Sequence, residues 1–482
     1  MSARPAHAQA ARDSSDPVTI QAAAFVAAAR ADSLPVALFE MATRCIADTT
    51  GLYIAGLLEP STRIVIQMAA EDGGRGDALL LGCGETRTPA HVAARALGIA
   101  AHAHDFDDTQ VSRDPAHVYG LLTHPSAAPL SAAIVMADTL GDVSAADFLT
   151  AFCVGFEVSC KISEWLKPDH YLRGHHSSGT VATFGAAAAT SYLLGLDQER
   201  IGHALGLAAS MAAGIRCNFG TMTKPWHVGR AAENGVLAAR MAARGFTADP
   251  QALDGRWGFA SVLAGGFSSE KLSQGFGRTW SMLEPGVSIK PYPSGILTHQ
   301  SMDMVRKLII ERDIKPEAIE RIDFYAGDNI LNPIRYGAAR NALEAKFSMC
   351  ALLSMLALYR NAGLNEFDDH IIASPSFQAM QHKVHVHRDE HINSLGFDII
   401  RSRVEISASS GERHVAEADP RYRGGPDFPM SRADIEEKFR NCAAKAPAEL
   451  ADSLLASIWG LPEAKSISLF LDLLRQAPMP DR

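Results

Sequence analysis

Cysteine is scarce in this chain: seven among 482 residues, at 45, 83, 153, 160, 217, 350 and 442, with no Cys-x-x-Cys pair. So few, and an odd number, argue against a disulfide framework or a thiolate zinc site and for free thiols in a reducing cytosol. A basic surplus is also missing. Lys and Arg number 45 against 54 Asp and Glu, for a formal net charge of -9 and a pI near 6.1. A nucleic-acid binder would show a basic stripe, so no nucleic-acid partner is expected. The stretch Met1–Ile20 has no apolar core of signal-peptide length and carries Asp13 and Asp16. It reads as a disordered lead-in without an export signal, which places the protein in the cytoplasm. One run, Ser177 to Leu196, goes 20 residues without a formal charge. That length could span a membrane, but Ser, Thr, Gly and Ala dominate it and polar segments flank it. A helix buried in a core is the reading taken, with no membrane partner. A P-loop, a nucleophile elbow and a His-Glu-x-x-His motif are all absent. Leu79 to Gly84 resembles the start of a dinucleotide-binding turn, yet the third glycine and the strand–helix–strand repeat are wanting.

What is present is the composition of a globular protein, 47% hydrophobic and 21% charged. The length predicts two domains. Segments 37–57, 90–104, 129–139, 145–165, 180–194 and 228–244 are rich in Ala, Leu and Met, which cost least in a helix. Their apolar residues recur at three- and four-residue spacing. Abundant Ala and Gly imply helices packed closely. Between about 285 and 420 the texture changes. Residues 319–325, 383–387 and 402–407 alternate as strands do, with apolar helices such as 344–359 between them. An α+β segment with an antiparallel sheet is expected there. Ser431 then caps a new helix, and the last 50 residues are read as returning to the first domain. The expected division is a lead-in over 1–20, an all-helical domain over 21–284 and 421–482, and an α+β domain over 285–420.

Chemistry-bearing residues cluster at four places. Asp105-Phe-Asp-Asp-Thr109, followed by Thr123-His124-Pro125-Ser126, gathers acids, a hydroxyl and an imidazole after a helix. Arg173-Gly-His-His176 immediately precedes the uncharged helix, whose N-terminal amides would attract an anion. The plainer alternative is a serine-capped helix with two solvent histidines. Lys224-Pro-Trp-His227 opens another helix, either as a carboxylate clamp or as a surface cation beside a packed histidine. Lys290 stands in a loop fixed by two prolines, either lining a cleft or stiffening an interdomain linker. His382, His385, His387 and His391 form a looser group. No carboxylate or cysteine stands at a spacing that completes a metal site there, so a solvated strand face is the reading.

Taken together, Asp105-Phe-Asp-Asp-Thr109, Thr123-His-Pro125, Gly174-His-His176, Thr223-Lys-Pro-Trp-His227, Lys290-Pro-Tyr-Pro293 and Leu343-Glu-Ala-Lys-Phe-Ser348 stand in the order seen in the MmgE/PrpD family. The chain resembles that family over roughly residues 20 to 475. Its members include 2-methylcitrate dehydratases, cis-aconitate decarboxylases and iminodisuccinate epimerases. The resemblance implies a mainly α fold, with a large all-helical domain and a smaller α+β lid, a homodimer, no metal or other cofactor, and a site between the domains. It also implies catalytic roles for Asp105, His124, His176, Lys224 and Tyr336, the tyrosine assigned by its distance from Lys290. Thr109, Lys290, Arg173 and His227 would bind substrate. Two departures stand out. Gly295 occupies the place of a further histidine in the decarboxylases, and the segment from Gln110 to Leu122 is longer than its counterpart.

The expected activity is that of a cofactor-independent lyase or isomerase working beside a carboxylate of a small di- or tricarboxylic acid. A 2-methylcitrate dehydratase-like reaction leads, with epimerase-like and cis-aconitate decarboxylase-like reactions as alternatives. Lys224 and Lys290 would anchor carboxylates, His124 and His176 would exchange protons, and Asp105 would orient a histidine or lysine. Two rivals belong to other classes: a metal-dependent hydrolase using the histidines of 382–391, and a catalytically silent helical scaffold. A scaffold has no need for the buried charge that the lysines and histidines imply.

Overall fold

The structure is a computed structural model, described here for residues 16–111, 122–395, 401–419 and 421–477. Its centre is the uncharged helix Ala182–Leu193, in which every residue from Ala182 to Tyr192 is buried. It is packed by Ala127–Leu140, Ala145–Trp165 and Thr223–Ala242. Small residues permit this. A Cβ on Gly185 would lie 2.5 Å from the Gly155 carbonyl oxygen, so the two helices touch backbone to backbone. No helix among the described residues is long and apolar enough to cross a membrane.

The same device sets the pair of helices that matters most for the site. Ala90–His102 and Thr223–Ala242 run antiparallel, with Arg95 against Glu233 at 3.3 Å, Gly98 against Gly229, and His102 against Lys224 at 2.7 Å. A Cβ on Gly229 would lie 2.6 Å from the Arg95 carbonyl oxygen. Removing two side chains lets the C-terminus of one helix meet the N-terminus of the other.

Beside two small clusters, the described residues form two large hydrophobic cores. One spans residues 18–289 and 430–477, and the other joins Leu122 and Tyr171 to residues 292–406. Arg432–Cys442 opens with a capping box between Ser431 and Asp434. With Ala448–Trp459 it packs on Val36–Gly56, in the first core. The boundary expected near Ile20 moves: the first helix is Val18–Ala28, and Val18 is buried with its N–H on Asp254 at 2.9 Å. Residues 1–15 of the expected lead-in lie outside the described residues. Leu79 belongs to a two-residue antiparallel ladder, Ala78–Leu79 with Arg87–Thr88, and Leu80 to Gly84 lie in the turn between its strands, so the first part is not wholly helical.

The second core carries a four-stranded sheet in the order Val384–Arg388, Ile319–Ala326, Ser402–Ala408, Arg413–Glu417. The expectation of an antiparallel sheet is corrected. Ile319–Ala326 and Val384–Arg388 pair in parallel, while the other two pairings are antiparallel. The first two strands are joined through a series of helices, and such a crossover brings the chain back in the same direction. The expected helix over 344–359 is also corrected. It is broken into Ala342–Ala345 and Met349–Tyr359, the second capped by Ser348, whose hydroxyl accepts the Ala351 N–H. Lys346 and Phe347 sit in the break, and both turn to the site.

Candidate active site

The helix Ala90–His102 ends in carbonyls that its own ladder cannot satisfy. Three buried lysines from distant parts of the chain satisfy carbonyls of the turn that follows. Lys346 donates to Ala103 O at 3.2 Å, Lys290 to Asp105 O at 2.9 Å and Lys438 to Phe106 O at 2.7 Å. Cations also suit the negative end of the helix dipole. Asp105 is held at φ +52°, a left-handed conformation that costs a non-glycine residue free energy. The turn keeps it because Lys290 grips both its carbonyl and its carboxylate. The chain then pairs with the domain junction, Thr109 and Ser288 exchanging N–H···O bonds of 2.8 Å. This is how Lys290, two residues further on, is carried to Asp105.

The side chains form one array. Asp105 Oδ1 accepts from Lys224 Nζ and Lys290 Nζ, each at 2.9 Å. Lys224 Nζ is also 2.7 Å from His102 Nε2, and His102 Nδ1 is 2.9 Å from both oxygens of Asp107. An ammonium can only donate and a carboxylate can only accept, so His102 carries its proton on Nδ1. His124 Nδ1 lies 3.2 Å from Asp107 Oδ2 and 3.3 Å from Thr109 Oγ1. Its Nε2 stands 3.5 Å from Asp105 Oδ1, so the nearer acceptor, Asp107, takes the proton of the neutral ring on Nδ1 and the lone pair is left on Nε2. His176 Nδ1 is 3.0 Å from His227 Nδ1. The serine of the His176 turn also braces the other histidine: Ser178 Oγ accepts the backbone N–H of His124 at 2.9 Å.

Burial and the lysines set the charges. Burial pushes His102 down to about 3 and His176 well below the usual imidazole range, with Lys224 adding to both. Burial lowers His124 as well, against an opposing pull from Asp107. All three rings are therefore neutral at pH 7. Burial alone would raise Asp105, but Lys224 and Lys290 outweigh it and hold the carboxyl well below its ordinary range. Burial likewise opposes ionisation of Asp107, and His102 and His124 reverse it. Burial lowers Lys224, with Asp105 resisting.

These groups face a cavity of about 520 Å³ of empty space, its open mouth included. Asp105, Thr109, His124, His176, Lys224 and Lys290 line it, six of the nine residues expected at a site. Tyr171 and Gly295 also line it, and apolar side chains supply the rest, among them Leu122, Phe219, Ile296, Leu297, Ile334 and Phe347. The other three expected residues stand elsewhere. Arg173 is half exposed, pairs with Asp169 at 3.0 Å and does not line the cavity. It stands on the solvent side of the turn that leads into Ser177–Thr180. Tyr336 spends its hydroxyl on Phe219 O at 3.1 Å, packed over Gly220. His227 stands behind His176 rather than in the cavity. Of the segment 110–122 expected to reshape the cleft, residues 112–121 lie outside the described residues.

Sequence reasoning missed His102, Asp107 as an imidazole acceptor, and Lys346. The spacing His102-x-x-Asp105-x-Asp107 is the one signal that could have shown the first two. The looser histidine group stays outside the site. His387 pairs with Asp323 at 2.6 Å and stacks on Tyr325, and His382 is exposed. Metal-ligating atoms do converge elsewhere: His102, Asp105, Asp107 and His124 offer donors within 4.8 Å of one another. That set does not fit a metal. Two ammonium groups already sit on Asp105 and one on His102, and both Nδ1–H groups point at Asp107. A divalent cation could enter only if Lys224 and Lys290 withdrew.

Comparison with known proteins bears on this arrangement. The MmgE/PrpD N-terminal domain matches residues 20–271, and the MmgE/PrpD C-terminal domain matches residues 292–459. The chain belongs to the MmgE/PrpD family. It is 29% identical over 458 residues to a cis-aconitate decarboxylase of Homo sapiens, covering 92% of each chain. It is 27% identical over 475 residues to that of Mus musculus, covering 96% of this chain and 94% of the relative. A cis-aconitate decarboxylase of Aspergillus terreus is 24% identical over 470 residues, with 92% and 93% covered. In this chain the C-terminal domain match thus takes in the helices Arg432–Cys442 and Ala448–Trp459, which pack back on the first core.

Proposed function

We propose that this MmgE/PrpD protein is a cofactor-independent lyase acting beside a carboxylate of a small di- or tricarboxylic acid. One observation carries the reading: a single carboxylate oxygen of Asp105 holds two buried ammonium groups at 2.9 Å in a cavity that two neutral imidazoles also line. Breaking a bond next to a carboxylate moves negative charge onto it. Lys224 and Lys290 are already in place to stabilise that charge, and such preorganised donors are worth about 3–4 kcal/mol each in a dry site. His124 presents Nε2 as a base, and the imidazolium formed on taking a proton is stabilised by Asp107 at Nδ1. That imidazolium is then the acid that returns the proton to carbon or to a departing hydroxyl. His176, backed by His227, serves a second proton position. The lyase assignment is supported by the relatives' named activity, which makes loss of carbon dioxide from cis-aconitate the first reaction to test.

Proton NMR in D₂O with cis-aconitate, 2-methylcitrate and iminodisuccinate distinguishes decarboxylation, dehydration and epimerisation in one measurement. One of these acids is expected to react or to take up deuterium. Lys224→Ala and His176→Ala should abolish that change while the circular dichroism spectrum is retained. Full activity in both variants would overturn the site, and no reaction or exchange with any of the acids would count against the reading itself.

A further inference from the structure

Gly295 lines the cavity with nothing in the backbone to require a glycine there. Its φ of -58° and ψ of 128° are open to any L-residue. A Cβ built on it would meet only the tip of Ile334, at 4.0 Å. The missing side chain therefore leaves space inside the cavity. That space is bounded by apolar groups: Ile296 and Leu297 follow Gly295 directly and are buried, and Leu122, Pro333 and Ile334 line the same cavity. Leu122, Ile296 and Leu297 belong to the second core, with Ile334 packed against it. The charged residues, by contrast, are knit into one array around Asp105 and Asp107. The cavity has a polar part and an apolar part, and the apolar part is left open at Gly295.

We infer that Gly295 is a specificity-determining position and that the substrate carries an apolar, alkyl-type substituent beside its carboxylates. The substituent occupies the recess between Gly295 and Ile334 while Lys224 and Lys290 hold the acid groups. This rests on the carboxylate reading given above.

Binding of succinate, methylsuccinate, propylsuccinate and butylsuccinate, measured by titration calorimetry, tests both and separates them. In the wild-type protein the Kd should fall along the series, by up to about fourfold per buried methylene. In Gly295→Leu, which fills the recess, the ratio of the succinate Kd to the butylsuccinate Kd should collapse toward one or invert. Circular dichroism serves as the check on folding. A wild-type Kd that is flat or rises with chain length, while succinate binds, overturns the apolar recess and leaves the carboxylate site standing. An undiminished gain in Gly295→Leu overturns the assignment to Gly295. Failure of every acid to bind, succinate included, removes the carboxylate reading and this inference with it.

Discussion

Replacing Asp107 by asparagine tests the hydrogen-bond logic of the site at its least replaceable point. The side chain is fully buried and accepts from two imidazoles, His102 Nδ1 at 2.9 Å and His124 Nδ1 at 3.2 Å. An amide of the same shape has one acceptor oxygen and turns two N–H donors toward the other ring. One histidine must then move its proton to Nε2. At His124 this replaces the lone pair in the cavity by an N–H that faces Asp105 Oδ1, 3.5 Å away. At His102 it sets an N–H against the Lys224 ammonium 2.7 Å away, donor against donor. Either outcome disables a proton-transfer residue or displaces Lys224. A general base contributes roughly 10² to 10⁴ in rate, or about 3–5 kcal/mol at 1.36 kcal/mol per tenfold. Asp107→Asn should therefore lower kcat by that factor, with KM changed only a few-fold because both lysines remain. Asp107 raises His124 against the lowering by burial, so its loss should shift the acid limb of the residual pH profile to lower pH. The assay is steady-state kinetics from pH 5 to 9 on the acid found by NMR, with deuterium exchange as a second readout. A kcat within tenfold of wild type and an unmoved acid limb would refute the tautomer argument.

Three further outcomes follow from the same geometry. Burial, opposed by the Ser126 hydroxyl, raises Asp108 to about 7, above the unfolded value near 3.9, so its contribution favours the native state below about pH 4 and is lost as pH rises to 7. Asp108→Asn should gain stability over wild type across that window, by an amount on the order of 4 kcal/mol; urea unfolding at pH 4, 5.5 and 8 measures it, and a pH-independent difference would contradict it. Gly229→Ala places a methyl 2.6 Å from the Arg95 carbonyl oxygen, so the helix pair must part and carry Lys224 away from His102. Thermal unfolding should show a loss of roughly 1–3 kcal/mol together with a fall in kcat, and a fully active, equally stable variant would show that the close approach is not needed. Dialysis against EDTA should leave turnover unchanged, since ammonium groups occupy the cation positions; activity lost to the chelator and restored by a divalent ion would reverse that view.

Much of this was legible in the sequence, for physical reasons that can be named. The uncharged run Ser177–Leu196 could only be buried, and it supplies the central helix. Strand alternation located three of the sheet's strands, but pairing direction depends on where a crossover returns, which local pattern does not encode. The break at 346–348 was hidden because Leu343 to Tyr359 favours helix throughout; what breaks it is tertiary, the reach of Lys346 to Ala103 O. Asp105, Thr109, His124, His176, Lys224 and Lys290 were found because charge and imidazole stand out beside alanine-rich helices. His102 was missed because it is the last residue of such a helix and looks like part of it.

The three acids of Asp105-Phe-Asp-Asp108 look equivalent as text, yet burial forces different work on each. Asp105 meets two ammonium groups, so it must be ionised, and it removes half of their charge. Asp107 meets only imidazoles and fixes which nitrogen of each carries the proton. Asp108 meets the Ser126 hydroxyl and amide with no cation among its partners, and burial therefore keeps it near neutral protonation. Within the array itself Lys224 and Lys290 balance Asp105 and Asp107, with Lys346 a further buried cation behind it on Ala103 O. An incoming carboxylate adds negative charge beside the rings and favours a proton on His124, where Asp107 already waits at Nδ1. The same arrangement that holds the rings neutral in the empty site makes one of them an acid once an anion is bound.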